Sequence, residues 1–217
     1  MQQLTLSDYK KLFICLSIYL TSLIAANTLG LKIMPFIWGT HLSVSIFYFP
    51  FVYLMTDVVG EVYGKTMARQ FVLAGIVTTL LFLVFNIISV LMPWSAAGLW
   101  AHDAYNTIFD VSIRVSIASV AAFAIAEYQD VFAYFFFKKK LEKAGFWLWS
   151  LLATIWSELL DTIIFMVIAF YGVYSNHTLI LMIIPWWIYK IVMGFVYTPL
   201  SYLGIKLLKK EYGNTTN

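Results

Sequence analysis

The segment "WSELLDTIIF", from Trp156 to Phe165, places two carboxylates, Glu158 and Asp161, three residues apart inside an apolar run. On a helix that spacing puts both on one face, about 60° apart around the axis. Thr154, Ser157 and Thr162 widen the polar stripe, and Leu152, Leu159, Ile163 and Met166 keep the other side apolar. The segment "EYQDV" repeats the device with Glu127 and Asp130. Ser112, Ser116, Ser119 and Phe123 precede that pair on or near the same face, where small side chains let helices approach closely. The stretch "FPFVYLMTDVVGEVYG" adds Asp57 and Glu61 at i and i+4. The last apolar run contributes one cation, Lys190, on a stripe with Trp186, Gly194, Tyr197 and Ser201.

Asp57, Glu127, Asp130, Glu158 and Asp161 thus face Lys190 alone in strongly apolar sequence. If that sequence lies in a bilayer, each such charge at a helix centre costs roughly 2.5 to 3.5 kcal/mol. Ionisable groups at that depth face a protein interior or a water-filled cavity. Two readings follow. In the structural one, Lys190 pairs with one acid while the others are protonated or bonded to backbone, holding helices together. In the functional one, the acids line a polar cavity at the midplane, where membrane carriers place their cargo. A low-dielectric cavity cannot keep such an excess of negative charge ionised, so a proton or a sodium ion is expected to share it.

The composition makes the bilayer the expected solvent. Of 217 residues, 62% are hydrophobic and only 12% charged, and the mean hydropathy is +0.84. A soluble domain carries about twice that share of charge. A span needs roughly 20 apolar residues, which leaves room for six spans and little else. They are expected at about 12–31, 42–62, 71–92, 111–137, 146–173 and 179–208, with a polar loop at 93–110. Runs of that length exceed buried strands, so the fold class is all-α: a polytopic integral membrane protein of six transmembrane helices forming a single transmembrane domain over 1–217. The opening "MQQLTLSDYKK" lacks a small-residue cleavage site, so the first span is expected to be retained. The lone Cys15 permits no internal disulfide.

If the spans alternate, Lys10, Lys11, Lys65, Arg69, Lys138, Lys139, Lys140, Lys143, Lys206, Lys209 and Lys210 fall on one side, eleven of the fourteen basic residues. The positive-inside rule then puts both termini in the cytoplasm. Trp38, Trp94 and Trp100 mark the outer interface and Trp147 and Trp149 the inner one. The net charge of +3 is accounted for by lysines facing anionic lipid, with no nucleic acid as partner. Pro50 falls inside the second apolar run and predicts a bent or broken helix before Asp57. Pro185 is expected near an interface and Pro199 at a hinge.

The quoted "FPFVYLMTDVVGEVYG", "EYQDV", "SELLDTIIFMVIAF" and the "IYK" of the last helix resemble the queuosine precursor transporter family, also described as vitamin uptake transporters, over nearly the whole chain. The resemblance implies a six-helix importer of the bacterial inner membrane. Its expected cargo is 7-deazaguanine bases such as preQ0, preQ1 or queuine, which feed the modified tRNA nucleoside queuosine. Carried over by motif, the family-like polar positions are Asn27 in "AANT", Asp57 in "TD", Asp130 in "QDV", Asp161 in "LDT" and Lys190 in "YK". Glu127 and Glu158 join this constellation and are expected to tune which precursor is accepted.

The chemistry agrees with that implication. A guanine-like base presents adjacent N–H donors, and one carboxylate can accept two of them. Asp161 and Glu158 are assigned to the base edge, and Asp130 and Glu127 to the polar or cationic end. Trp156, Phe165, Tyr128, Trp186 or Trp187 could stack on the base, Trp156 being placed in the site. Asn27 can donate and accept at once, or simply bond a neighbouring helix. Lys190 serves as a substrate contact or as the charge partner of Asp161 or Asp57.

No metal site is expected, since His41, His102 and His177 are scattered near outer ends and loops. Nor is any cofactor. The motifs of hydrolases, zinc proteases and P-loop ATPases do not occur, so the chain is read as a carrier and not an enzyme. An intramembrane protease built on Asp130 and Asp161 is the enzymatic alternative. The membrane-embedded binding subunit of an ATP-driven vitamin-uptake complex is the other. "LMTDVV" against "LLDTII" suggests two inverted three-helix halves, and a chain of this size could form a homodimer.

Overall fold

A computed structural model describes residues 5–141 and 146–209, apart from the side chains at 37, 127, 128, 130, 131, 146, 147, 150, 197, 198 and 209. Six long helices dominate it: α1 (Leu6–Thr28), α2 (Phe49–Tyr63), α3 (Lys65–Leu91), α4 (His102–Lys140), α5 (Phe146–Phe170) and α6 (Asn176–Lys209). Six segments among the described residues are long and apolar enough to cross a membrane. The chain is all-α and polytopic, as its apolar runs predict.

The described residues form two compact units. One comprises 5–32, 43–84 and 193–209, and the other 33–42 and 85–192. The first is built on α1. Thr5 starts that helix with a capping box: its Oγ1 accepts from the Asp8 amide at 3.3 Å, and its own amide donates to Asp8 Oδ2 at 2.9 Å. Leu12, Cys15 and Tyr19 of α1 form a buried cluster with Val52, Val59 and Phe71 of α2 and α3. Gly75 lies so close to α1 that an added Cβ would come 2.5 Å from Tyr19 Oη. Gly204 leaves similar room for Val58, whose Cγ2 would stand 2.8 Å from a Cβ there. Lys11 Nζ donates to the Leu208 carbonyl at 3.2 Å, tying the first helix to the end of the last.

The stretch after α1 corrects an expectation. Residues 42–48 do not open the second span as α-helix. Two short strands, β1 (Ile33–Pro35) and β2 (His41–Ser43), pair around a turn in which Trp38 and Gly39 take positive φ of 56° and 75°. One 3-10 turn follows, at Val44–Phe47. Pro50 then sits in the first turn of α2, so no kink interrupts that helix before Asp57. The first amides of a helix have no internal partner, and proline's missing N–H costs nothing there. Gly64, at φ 90°, turns the chain directly from α2 into α3.

In the second unit α4 and α5 pack along each other. Ser112, Ser116, Ala118 and Ala122 of α4 are 0 to 1% exposed, and so are Thr162, Met166 and Ala169 of α5. Small side chains bring the two helices together, as the serine spacing predicts. Phe123, expected on or near that stripe, is 41% exposed. Met166, expected on the apolar side of α5, is buried in the core. The region 93–110 is not an irregular loop either: a 3-10 segment at Ala96–Ala101 leads straight into α4. There Trp94 lies edge-on to His102 and Tyr105, with centroids 5.3 and 5.4 Å away. At the other end, Trp149 Nε1 donates to the Leu141 carbonyl at 2.9 Å, and Lys138 Nζ stands 5.9 Å from the same ring. The helix α6 is continuous through both Pro185 and Pro199.

Candidate functional site

The second unit brings together three of the ionisable residues singled out by sequence. Glu158 and Asp161 lie one helical turn apart on α5, roughly 18 and 22 Å along it at 1.5 Å per residue, well inside its apolar length. Lys190 reaches them from α6. Its ammonium donates to Asp161 Oδ2, and Nζ stands 3.1 Å from Glu158 Oε2. The Lys190, Glu158 and Asp161 side chains are 11%, 30% and 24% exposed. An ion pair so far from water persists only where hydrogen bonds offset the loss of hydration.

That compensation is uneven. Asp161 receives a direct hydrogen bond, whereas Glu158 Oε2 is buried and, among the described residues, accepts none, even with the ammonium nearby. Two carboxylates and one ammonium also leave one negative charge in excess when all three are ionised. A further hydrogen-bond donor would therefore find an acceptor here in Glu158 Oε2.

The same face of α6 is anchored independently. Trp187 lies one turn before Lys190, and its indole N–H donates to the Ile155 carbonyl of α5 at 3.2 Å. This aligns Lys190 with the acids, since residues three apart share a helix face. Trp186 is 3% exposed and stacks on Tyr189 at 5.6 Å. Trp156 is 44% exposed and, two residues before Glu158, projects about 160° away from it around the helix.

Two hydroxyls of the predicted polar stripe turn back onto their own helix. Thr162 Oγ1 donates to the Glu158 carbonyl at 2.8 Å and Ser157 Oγ to the Thr154 carbonyl at 3.2 Å. Such bonds satisfy the hydroxyl locally. Arg114 of α4 has a distinct role. One guanidinium nitrogen donates to the carbonyls of Ile168 and Tyr171 at 3.1 and 2.7 Å, holding the end of α5 against α4. A cation suits a helix C-terminus, where unpaired carbonyls carry partial negative charge.

The remaining candidates are placed as follows. Asn27 is buried near the end of α1 and Asp57 is exposed on α2, both in the first unit. Glu127 and Asp130 belong to α4, and their side chains lie outside those described, as does that of Tyr128. No group of three or more His, Cys, Asp or Glu able to hold a metal occurs among the described residues. His102 instead bonds Asp103 Oδ1 at 2.7 Å and Asn106 Nδ2 at 3.1 Å.

Comparison with known proteins agrees with this architecture. A family model described as "Putative vitamin uptake transporter" matches residues 43–204. A Bacillus subtilis protein named "Probable queuosine precursor transporter" is 30% identical over 161 residues, covering 74% of this chain and 70% of that protein. The "Queuosine precursor transporter" of Escherichia coli is 28% identical over 165 residues, 75% of this chain and 70% of its own. A Haemophilus influenzae protein named like the first is 29% identical over 157 residues, 72% of this chain and 60% of its own. No solved structure matches. These relatives are transporters and not enzymes, and with three quarters of its length matched the chain belongs to the same family, the vitamin uptake or queuosine precursor transporters.

Proposed function

We propose that this protein imports queuosine precursors, 7-deazaguanine bases such as preQ0, preQ1 or queuine, as a secondary transporter of the bacterial inner membrane. Family membership supports the class of cargo. The observation that carries the reading to particular residues is the cluster of Lys190 with Asp161 and Glu158 deep in apolar helices. A carboxylate there accepts paired N–H donors from a guanine-like edge, in surroundings where such a bond is worth more than in water. Asp161 and Glu158 are proposed to meet that edge. Asp130 and Glu127 are proposed to meet the polar or cationic end. Asn27, Asp57 and Trp156 enter through the family motifs and the sequence reading alone.

The net negative charge of the cluster favours coupling to a proton or sodium ion. The lysine-rich ends favour cytoplasmic termini, and a single transmembrane domain of two inverted three-helix halves, able to dimerise, completes the proposal. The test is uptake by the purified protein in liposomes. Accumulation of unmodified 7-deazaguanine under an imposed gradient, without ATP, supports the reading. Uptake that requires an added ATPase complex replaces it with a role as the binding subunit of such a complex. Uptake indifferent to proton and sodium gradients removes the coupling.

A further inference from the structure

The proposed edge-reading by two carboxylates leaves one feature of a guanine-type base unused: its 6-oxo group, an acceptor beside the two N–H donors. Lys190 is the only described cation in contact with the acids that would take those donors. We infer that Lys190, positioned by Asp161, is the specificity-determining donor to the 6-oxo oxygen, and that Glu158 alone takes the N1–H and 2-amino pair. This inference rests on the proposed 7-deazaguanine cargo and divides the labour within that site.

The asymmetry of the cluster carries the argument. Asp161 holds the ammonium by a hydrogen bond, while Glu158 Oε2 has the ammonium 3.1 Å away and accepts no hydrogen bond among the described residues. Asp161 is therefore engaged and Glu158 is ready for N–H donors. An ammonium has three rotatable donors on one point charge. When the base supplies the donors that Glu158 lacks, the ammonium can turn an N–H toward the adjacent 6-oxo group without Lys190 leaving Asp161. Carboxylate and ammonium side by side then mirror the donor, donor, acceptor order of the base edge. The Trp187 bond to Ile155 fixes the α6 face that sets this spacing. No covalent step is involved.

A consequence separates this scheme from a purely structural salt bridge. In Asp161→Asn, Lys190 loses its anchor and closes onto Glu158, blocking the acceptor the base needs. Removing Lys190 as well reopens it. Binding to the purified full-length protein is measured with 7-deazaguanine, its 6-thio analogue, whose sulfur is a weaker acceptor but whose N–H pair is intact, and 7-deazahypoxanthine, which lacks the 2-amino group.

The wild-type protein is expected to prefer oxo over thio roughly tenfold or more, the scale of one hydrogen bond to a charged group. Asp161→Asn is expected to lose binding of all three. The double variant Asp161→Asn with Lys190→Met regains 7-deazaguanine and its thio analogue at affinities within about twofold of each other, the preference of one hydrogen bond being gone. It still prefers 7-deazaguanine over 7-deazahypoxanthine, through Glu158. A double variant that melts normally and binds no better than Asp161→Asn overturns the inference, as does one that regains binding with the oxo preference intact. Should that variant not fold, equal affinity of the wild-type protein for oxo and thio probes overturns it by itself. If the wild type binds none of the three probes, the 7-deazaguanine reading fails, a result distinct from all of these.

Discussion

Lys190 Nζ stands 3.1 Å from Glu158 Oε2, so the one cation of the apolar part of α6 is shared with an acid one turn away from its hydrogen-bonded partner Asp161. Helices α5 and α6 are joined by charge as well as by the Trp187 hydrogen bond to the Ile155 carbonyl. Because the Lys190 side chain is only 11% exposed, the pair is costly to break from one side: an uncompensated buried charge costs about 3 to 5 kcal/mol. Lys190→Met should lower the melting temperature in detergent markedly. The double variant with Asp161→Asn removes one of the two acids left unpaired and should recover part of the loss, Glu158 remaining without its cation; a double-mutant cycle measures this directly.

For transport, Asp161→Asn should reduce uptake of 7-deazaguanine at least about a hundredfold, because the released Lys190 closes onto Glu158 and removes its charge-assisted acceptance of the base. Glu158→Gln should fall comparably, since its amide oxygen accepts only one N–H of the pair while its NH₂ opposes the other. Initial uptake rates in cells, normalised to protein in the membrane, check both. Unchanged uptake by Asp161→Asn would remove that residue from the site.

Arg114→Met offers a stability test remote from the acids. The guanidinium donates to two carbonyls at the end of α5, and their loss should cost about 2 kcal/mol, the scale of a hydrogen bond to a charged group. Affinity for the base should be unchanged in protein that is folded. A parallel drop in affinity at constant melting temperature would contradict this.

Two glycines should respond oppositely. At Gly75 a Cβ would meet Tyr19 Oη at 2.5 Å and Leu23 at 2.9 Å, so Gly75→Ala must displace α1 or the tyrosine ring and should cost about 1 to 3 kcal/mol. At Gly194 nothing among the described residues lies within 4 Å of a Cβ. Gly194→Ala should be neutral or stabilising by up to about 1 kcal/mol through helix propensity. Thermal unfolding of the two variants side by side decides.

Much of the fold was legible because hydrocarbon imposes a simple rule. A run of about 20 apolar residues must close its own backbone hydrogen bonds, so it is helical wherever it lies in the chain. That reasoning located all six helices, but it placed helix across 42–48 and a kink at Pro50. It failed there because apolar composition does not distinguish a helix from the 3-10 turn before one, and because proline is harmless in a first turn. It likewise missed that α4 reaches back to His102, since polar residues there are compatible with a helix end exposed to water.

Sequence alone named the candidates for the chemistry: charges are scarce in this chain, and the cost of immersing them in hydrocarbon singles out Asp57, Glu127, Asp130, Glu158, Asp161 and Lys190 without any coordinates. Tertiary structure decided which acid the lysine holds, and that Asp161 is hydrogen-bonded while a Glu158 oxygen is not. It also turned the Thr162 and Ser157 hydroxyls back onto their own helix and set Arg114 against the carbonyls of Ile168 and Tyr171. Helical periodicity specifies which face a side chain shares. Whom it meets depends on the rotation and offset of a second helix, set by small residues and single anchors such as Trp187 whose partners lie far away in the chain.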